Sequence, residues 1–236
     1  MRKAQLAKGH IYHIYNRGVE KRDVFSGDND RWRFLQGLFL FNDVEVSANL
    51  LWQVERNFGR ATFKTLNAFL KEQQRKPLVR LMADCLMPNH YHLLVEEIMD
   101  GGISKFMQKL GTGYTMYFNK INQRVGPLFQ GSFKAVLIET QEQLERLLVY
   151  INVINPGQLA EPDLKDDGIR DIEKVLKFAE DYLWSTHREY LGVRNPFIID
   201  KGLLGDIFSN SKDYRDFVRA ALEERKLGSI SNLFLE

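Results

Sequence analysis

Apolar and polar residues alternate along His10-Ile11-Tyr12-His13-Ile14-Tyr15-Asn16, as in a β-strand with one buried face, and Arg17-Gly18 ends the run. From Asp28 the period becomes three and four. Trp32, Leu35, Leu38 and Phe39 follow an Asp/Asn start signal and predict a helix over 28–41. Residues 42–78 are less regular, with helical character around Ala61–Lys71, and read as an insertion. Val79–Met87 and His90–Ile98 flank the turn residues Pro88-Asn89 and predict a hairpin. After Gly101-Gly102, an apolar stripe from Ile103 through Phe106, Leu110, Tyr114 and Phe118 to Ile121 predicts a long helix over 103–123. Ser132–Glu139 alternates again. Thr140 with Gln143 forms a capping box that opens a helix through Ile154, ended by Asn155-Pro156-Gly157.

The order β-α-(insertion)-β-β-α-β-α predicts an α+β fold: a ferredoxin-like split β-α-β sheet with helices mainly on one face. Its other face is left for a ligand. After Pro162 come helical stretches over 168–182, 201–208 and 211–225, with a Trp184-Ser185 turn between the first two. The expected organisation is a core over 1–162, interrupted by the 42–78 insertion, and a helical C-terminal extension over 163–236.

Composition narrows the class. No apolar run approaches the roughly 20 residues of a membrane span, and the N-terminus lacks a signal-peptide core, so a cytoplasmic protein is expected. The lone Cys85, in an apolar run, reads as a buried structural residue. The net charge of +2 hides an asymmetry. Residues 1–156 hold 21 Lys+Arg against 15 Asp+Glu, and residues 157–236 hold 12 against 16. The basic part is compatible with a phosphate-bearing partner.

The candidate chemistry lies in Met87-Pro88-Asn89-His90-Tyr91-His92-Leu93-Leu94. Residues i and i+2 of a strand share a face, so His90 and His92 project together, opposite Tyr91 and Leu93. Two imidazoles on one strand face suit a divalent ion; two polar residues on a solvated face fit the spacing equally well. Tyr150, on the last predicted core helix, shares an edge with Arg146 and Gln143 and reads either as a boundary tyrosine or as a group facing a polar site. Leu94 stands where a histidine-triad hydrolase would need a third histidine. Two histidines are too few for a closed structural zinc site.

Four segments in order resemble the single-tyrosine HUH transposases, in particular the REP-associated branch. They are Asn16-Arg17-Gly18, the Met87–Leu94 run, the stretch from Tyr117-Phe118-Asn119 through Gly126-Pro127-Leu128-Phe129-Gln130-Gly131-Ser132-Phe133-Lys134-Ala135, and Tyr150-Ile151-Asn152 with Asn155-Pro156. The resemblance implies a metal-dependent single-stranded DNA endonuclease and strand transferase, associated with the nucleoid and active on hairpin DNA. Family members commonly act as homodimers. By it, His90 and His92 hold Mg²⁺ or Mn²⁺, and Tyr150 is the nucleophile that forms a 5′-phosphotyrosine, with Lys134 or Arg146 as the cation that helps its phenol ionise. Arg17, Lys120, Arg124, Phe129, Gln130, Lys134 and Arg146 are candidate nucleic-acid contacts.

One departure stands out. The family's amide ligand lies four residues after the tyrosine, whereas position 154 here is Ile and the amide is Asn155, about 140° around a regular helix from Tyr150. Either a π-bulge near 151–154 restores Asn155 as the third ligand, or the ligand comes from elsewhere, with His13 and Gln130 as candidates. A non-catalytic DNA-binding protein derived from the family is the alternative.

Overall fold

In the computed structural model, described for residues 5–47, 50–59, 61–70, 74–165 and 168–226, four strands form one antiparallel sheet: β1 (Ile11–Arg17), β2 (Val79–Met87), β3 (His90–Glu97) and β4 (Lys134–Ile138). Their order across the sheet, β2-β3-β1-β4, is the split β-α-β arrangement. The helix α1 (Asp28–Phe41) joins β1 to β2, followed by two short helices, α2 (Leu50–Phe58) and α3 (Phe63–Leu70). These two occupy the segment read as an insertion; Lys71 lies outside the described residues. The long helix α4 (Gly102–Ile121) joins β3 to β4. Its first residue must be small: a Cβ at Gly102 would lie 2.2 Å from the Leu78 carbonyl oxygen.

Strand alternation sorts the core. Tyr12, Ile14, Tyr91 and Leu93 point toward α1 and α4, where Phe34, Tyr91 and Tyr114 pack ring to ring. His13, Tyr15, His90 and His92 point to the other face.

The helix after β4 runs further than its sequence suggests. Thr140 caps α5 (Gln141–Val149) by accepting a hydrogen bond from the Gln143 N–H. The chain then passes through a π-turn at Tyr150–Ile154 and continues as α6 (Asn155–Ala160). Asn155-Pro156-Gly157 therefore does not stop it. Pro156 falls in the first turn of α6, where its missing N–H costs nothing.

The C-terminal part adds α7 (Ile172–Asp181), α8 (His187–Tyr190), α9 (Leu203–Ile207) and α10 (Ser211–Lys226). Residues between α7 and α8 run along the outer edge of β2: the Leu86 N–H donates to Trp184, and the Thr186 N–H donates to Asp84. An edge strand that would otherwise offer open backbone groups is thereby closed. Cys85 is buried beneath this contact.

Candidate active site

Cross-strand register builds the site in two rows. On the face away from α1 and α4, Cys85, His92, Tyr15 and Lys134 stand opposite one another across all four strands, and Met87, His90 and Arg17 form the next row. The His90 and His92 rings are 4.9 Å apart, centroid to centroid, and perpendicular. Tyr150 reaches this face from the π-turn. Its ring stands edge-on to His92 at 5.6 Å and to His13 at 6.2 Å, and it is 2% exposed.

His13 is bonded directly to the pair. Its Nε2 lies 2.8 Å from Nδ1 of His92, and both rings are buried. Two protonated nitrogens cannot face each other at that distance, so one donates and the other accepts. If His92 donates from Nδ1, its Nε2 lone pair is directed at a cation. This is the usual way an outer group orients a ligating histidine. The contact also occupies the His13 Nε2, so that atom is not a third ligand.

The π-turn decides where the amide goes. Asn155 donates its backbone N–H to the Tyr150 carbonyl, the i→i−5 bond of a π-turn, so the residue five positions on rides over Tyr150 rather than 140° away. Its side chain is fully buried, and among the described residues its Nδ2 has no hydrogen-bond partner, while Oδ1 accepts from Gln158 at 3.1 Å. Amide oxygen and nitrogen exchange by a flip, so Asn155 can present an oxygen where Nδ2 now lies, with Gln158 turning to match.

Asn152, between Tyr150 and Asn155, faces the extension instead. It accepts from Thr186 Oγ1 at 2.8 Å and donates to the Tyr214 hydroxyl, which also meets His187 Nδ1 at 2.8 Å. Burial pushes His187 down to about 4, which keeps it neutral within this network. The C-terminal extension thus braces the π-turn from behind.

Among the described residues no three His, Cys, Asp or Glu side chains gather as a metal cluster. His90 and His92 offer two imidazole donors and Asn155 carries an amide that could add an oxygen; such a set would leave positions on a divalent ion open.

Residues 51–153, a little under half of the chain and the part that holds both histidines and Tyr150, match the IS200-like transposase family. Among solved structures the chain is similar to a REP-associated tyrosine transposase bound to a REP hairpin, at 11% identity and a TM-score of 0.46, over 85% of this chain and 96% of that one. No curated protein matches.

Other residues expected at the DNA are dispersed. Arg17 and Lys134 share the histidine face, and Gln130 adjoins them, its N–H donating to the Arg17 carbonyl. Lys120 is exposed at the end of α4. Arg124 donates to Asn119 and lies over the Phe118 ring. Phe129 departs from its expected role beside the lysines. Its ring is buried edge-on against Tyr91, on the α4 side, where it helps floor a groove of about 640 Å³. Arg146 is held by Glu142 and Glu224.

The cation that does stand at Tyr150 is Lys165, its Nζ 5.0 Å from the ring centroid. It lies in the short turn Pro162–Lys165, which carries no periodic pattern. Only its proximity to a charged cluster after Pro162 could have drawn attention to it.

Proposed function

We propose that the chain is a single-tyrosine HUH transposase of the REP-associated branch, an endonuclease and strand transferase acting in the cytoplasm on single-stranded or hairpin DNA. The observation that supports it most is the edge-on meeting of Tyr150 with His92, whose ring in turn neighbours that of His90, within one chain. Tyr150 Oη attacks the scissile phosphorus and the bond to the 3′-oxygen breaks, leaving a free 3′-hydroxyl and a 5′-phosphotyrosine. The new ester keeps the phosphodiester energy, and a later 3′-hydroxyl displaces Tyr150 to join the strand elsewhere.

Mg²⁺ or Mn²⁺, held by His90, His92 and Asn155, would supply Lewis-acid polarisation of the phosphate. The chain's own residues do the rest. Lys165 sets a positive charge over the Tyr150 ring, beside the place a phosphate would take. Tyr150 is closed off from solvent, so DNA reaches it only once neighbouring groups move. Arg17, Lys134 and Gln130 flank the histidine rows and hold the backbone of the strand; Lys120 and Arg124 reach further along it.

The test is incubation of the full chain with end-labelled hairpin DNA and Mn²⁺. A product that stays protein-linked on a denaturing gel, and is absent with chelator, is expected. Hairpin binding without any linked product points to a DNA-binding protein instead.

His13 supplies a second check. His13→Phe is expected to lower Mn²⁺ affinity by about 10–100-fold, while His13→Gln, which can still accept from His92 Nδ1, stays near the parent. Calorimetry on the folded proteins reads both, and equal affinity in the phenylalanine variant would remove the orienting role.

A further inference from the structure

On the opposite face of the sheet from Tyr150, a cavity of about 180 Å³ lies between β2, α1, α3 and the segment after α7. Asp84 lines it. Its side chain is 4% exposed, and among the described residues its carboxyl takes part in no hydrogen bond; only its backbone groups are bonded, both to Thr186. The neighbouring carboxylate, Glu189, is fully answered. Arg194 Nε and Nη2 bridge its two oxygens at 2.6 and 2.7 Å, and the same guanidinium donates to the carbonyls of Leu183 and Ser185. The donors of Arg194 are thus taken, and it acts on Asp84 through its charge alone. With Asp84 ionised, the three side chains carry one negative charge in excess. Lys201 feels Glu189, but its ammonium sits over the Tyr190 ring and does not line the cavity.

The remaining wall is apolar apart from Asn195: Leu35, Leu183 and Ile198 line it together with three aromatic rings. Phe63 meets Trp32 at 6.1 Å and Phe197 at 5.3 Å, and Trp32 and Phe197 are both partly open to solvent at the mouth. An unanswered carboxyl set against ring faces selects a cation. The volume falls below the roughly 300 Å³ at which sites for whole cofactors begin, so it suits a head group rather than a nucleotide.

We infer that this cavity binds the head group of a small organic monocation, a guanidinium or a primary alkylammonium, with Asp84 as its counter-ion and Trp32, Phe63 and Phe197 against its flanks. Burial and the charge of Glu189 push Asp84 up to about 7, so the site is best charged on the alkaline side of neutrality. It is separate from the transposase chemistry and stands whether or not Tyr150 cleaves DNA.

The test uses the full chain at pH 8 without DNA, titrated by calorimetry with n-propylguanidinium, n-butylammonium and, as a neutral control, n-butanol. Saturable one-site binding of at least one cation is expected, weakened by about tenfold or more in Asp84→Asn and by a few-fold in Phe197→Leu. Circular dichroism checks both folds. Should Asp84→Asn not fold, the Phe197→Leu comparison decides. The inference is overturned by no saturation up to about 10 mM, by equal binding in the parent and the folded variants, or by butanol binding as well as the cations.

Discussion

Tyr150→Phe eliminates the protein-linked DNA product, a loss on the order of 10⁴-fold or more, while hairpin affinity and folding stay close to the parent. The expectation follows from where the hydroxyl sits. The ring packs edge-on to His92 and His13 and under Lys165, contacts that phenylalanine keeps. Only the attacking oxygen is removed, and no other group replaces it. Tyr15, the other tyrosine beside His92, lies with its ring 6.0 Å away and nearly parallel, fixed in β1 between Lys134 and His92. Gel analysis of labelled DNA and a parallel binding assay read the two quantities separately. Linked product surviving in the variant would move the nucleophile elsewhere.

The second large effect is on stability. Burial and Glu189 raise Asp84 from the usual carboxylate value near 4 to about 7. Between those limits the unfolded chain releases a proton that the folded chain retains, so stability falls as pH rises and levels off above about 7. A gap of roughly three units corresponds to about 4 kcal/mol at most. Asp84→Asn removes this slope and is expected to be more stable than the parent at pH 8, by part of that amount. His187 acts in the opposite direction. Held down at about 4, it contributes stability that is lost as pH falls from its ordinary value near 6.5. Denaturant titrations of parent and variant at pH 5 and pH 8 isolate Asp84, because His187 is common to both. An identical pH dependence in the two proteins would show that the carboxyl keeps its ordinary proton affinity.

Much of the scaffold was legible because it rests on local periodicity. The pattern over 28–41 matches α1 residue for residue, and Pro88-Asn89 turns the hairpin where expected. The helix carrying Tyr150 was read to end at Asn155. There the inserted residue was visible as a shifted amide, yet whether the helix broke or bulged depended on packing. Asn152 bonded to Thr186 and Tyr214 holds the bulge, and those partners come from the far end of the chain. The same reason hid Lys165 and the role of His13, which was read only as a candidate ligand. The His13–His92 contact is set by cross-strand register between residues 79 apart, and Lys165 by the docking of a turn without a pattern. Arg146 and Phe129, read as DNA contacts, are also held within the protein, Arg146 by Glu142 and Glu224 and Phe129 against Tyr91, and the two distant partners lie outside any local window. Asp84 gave no signal within an apolar strand; its meaning comes from the cavity.

Most direct of all is to locate the atom that takes the phosphate. After reaction with hairpin DNA and Mn²⁺, nuclease trimming and proteolysis, tandem mass spectrometry is expected to place the residual nucleotide on Tyr150. A nucleotide on any other residue, or none on a protein that demonstrably binds both the hairpin and the ion, would contradict a site in which His90, His92 and Tyr150 act on one phosphorus.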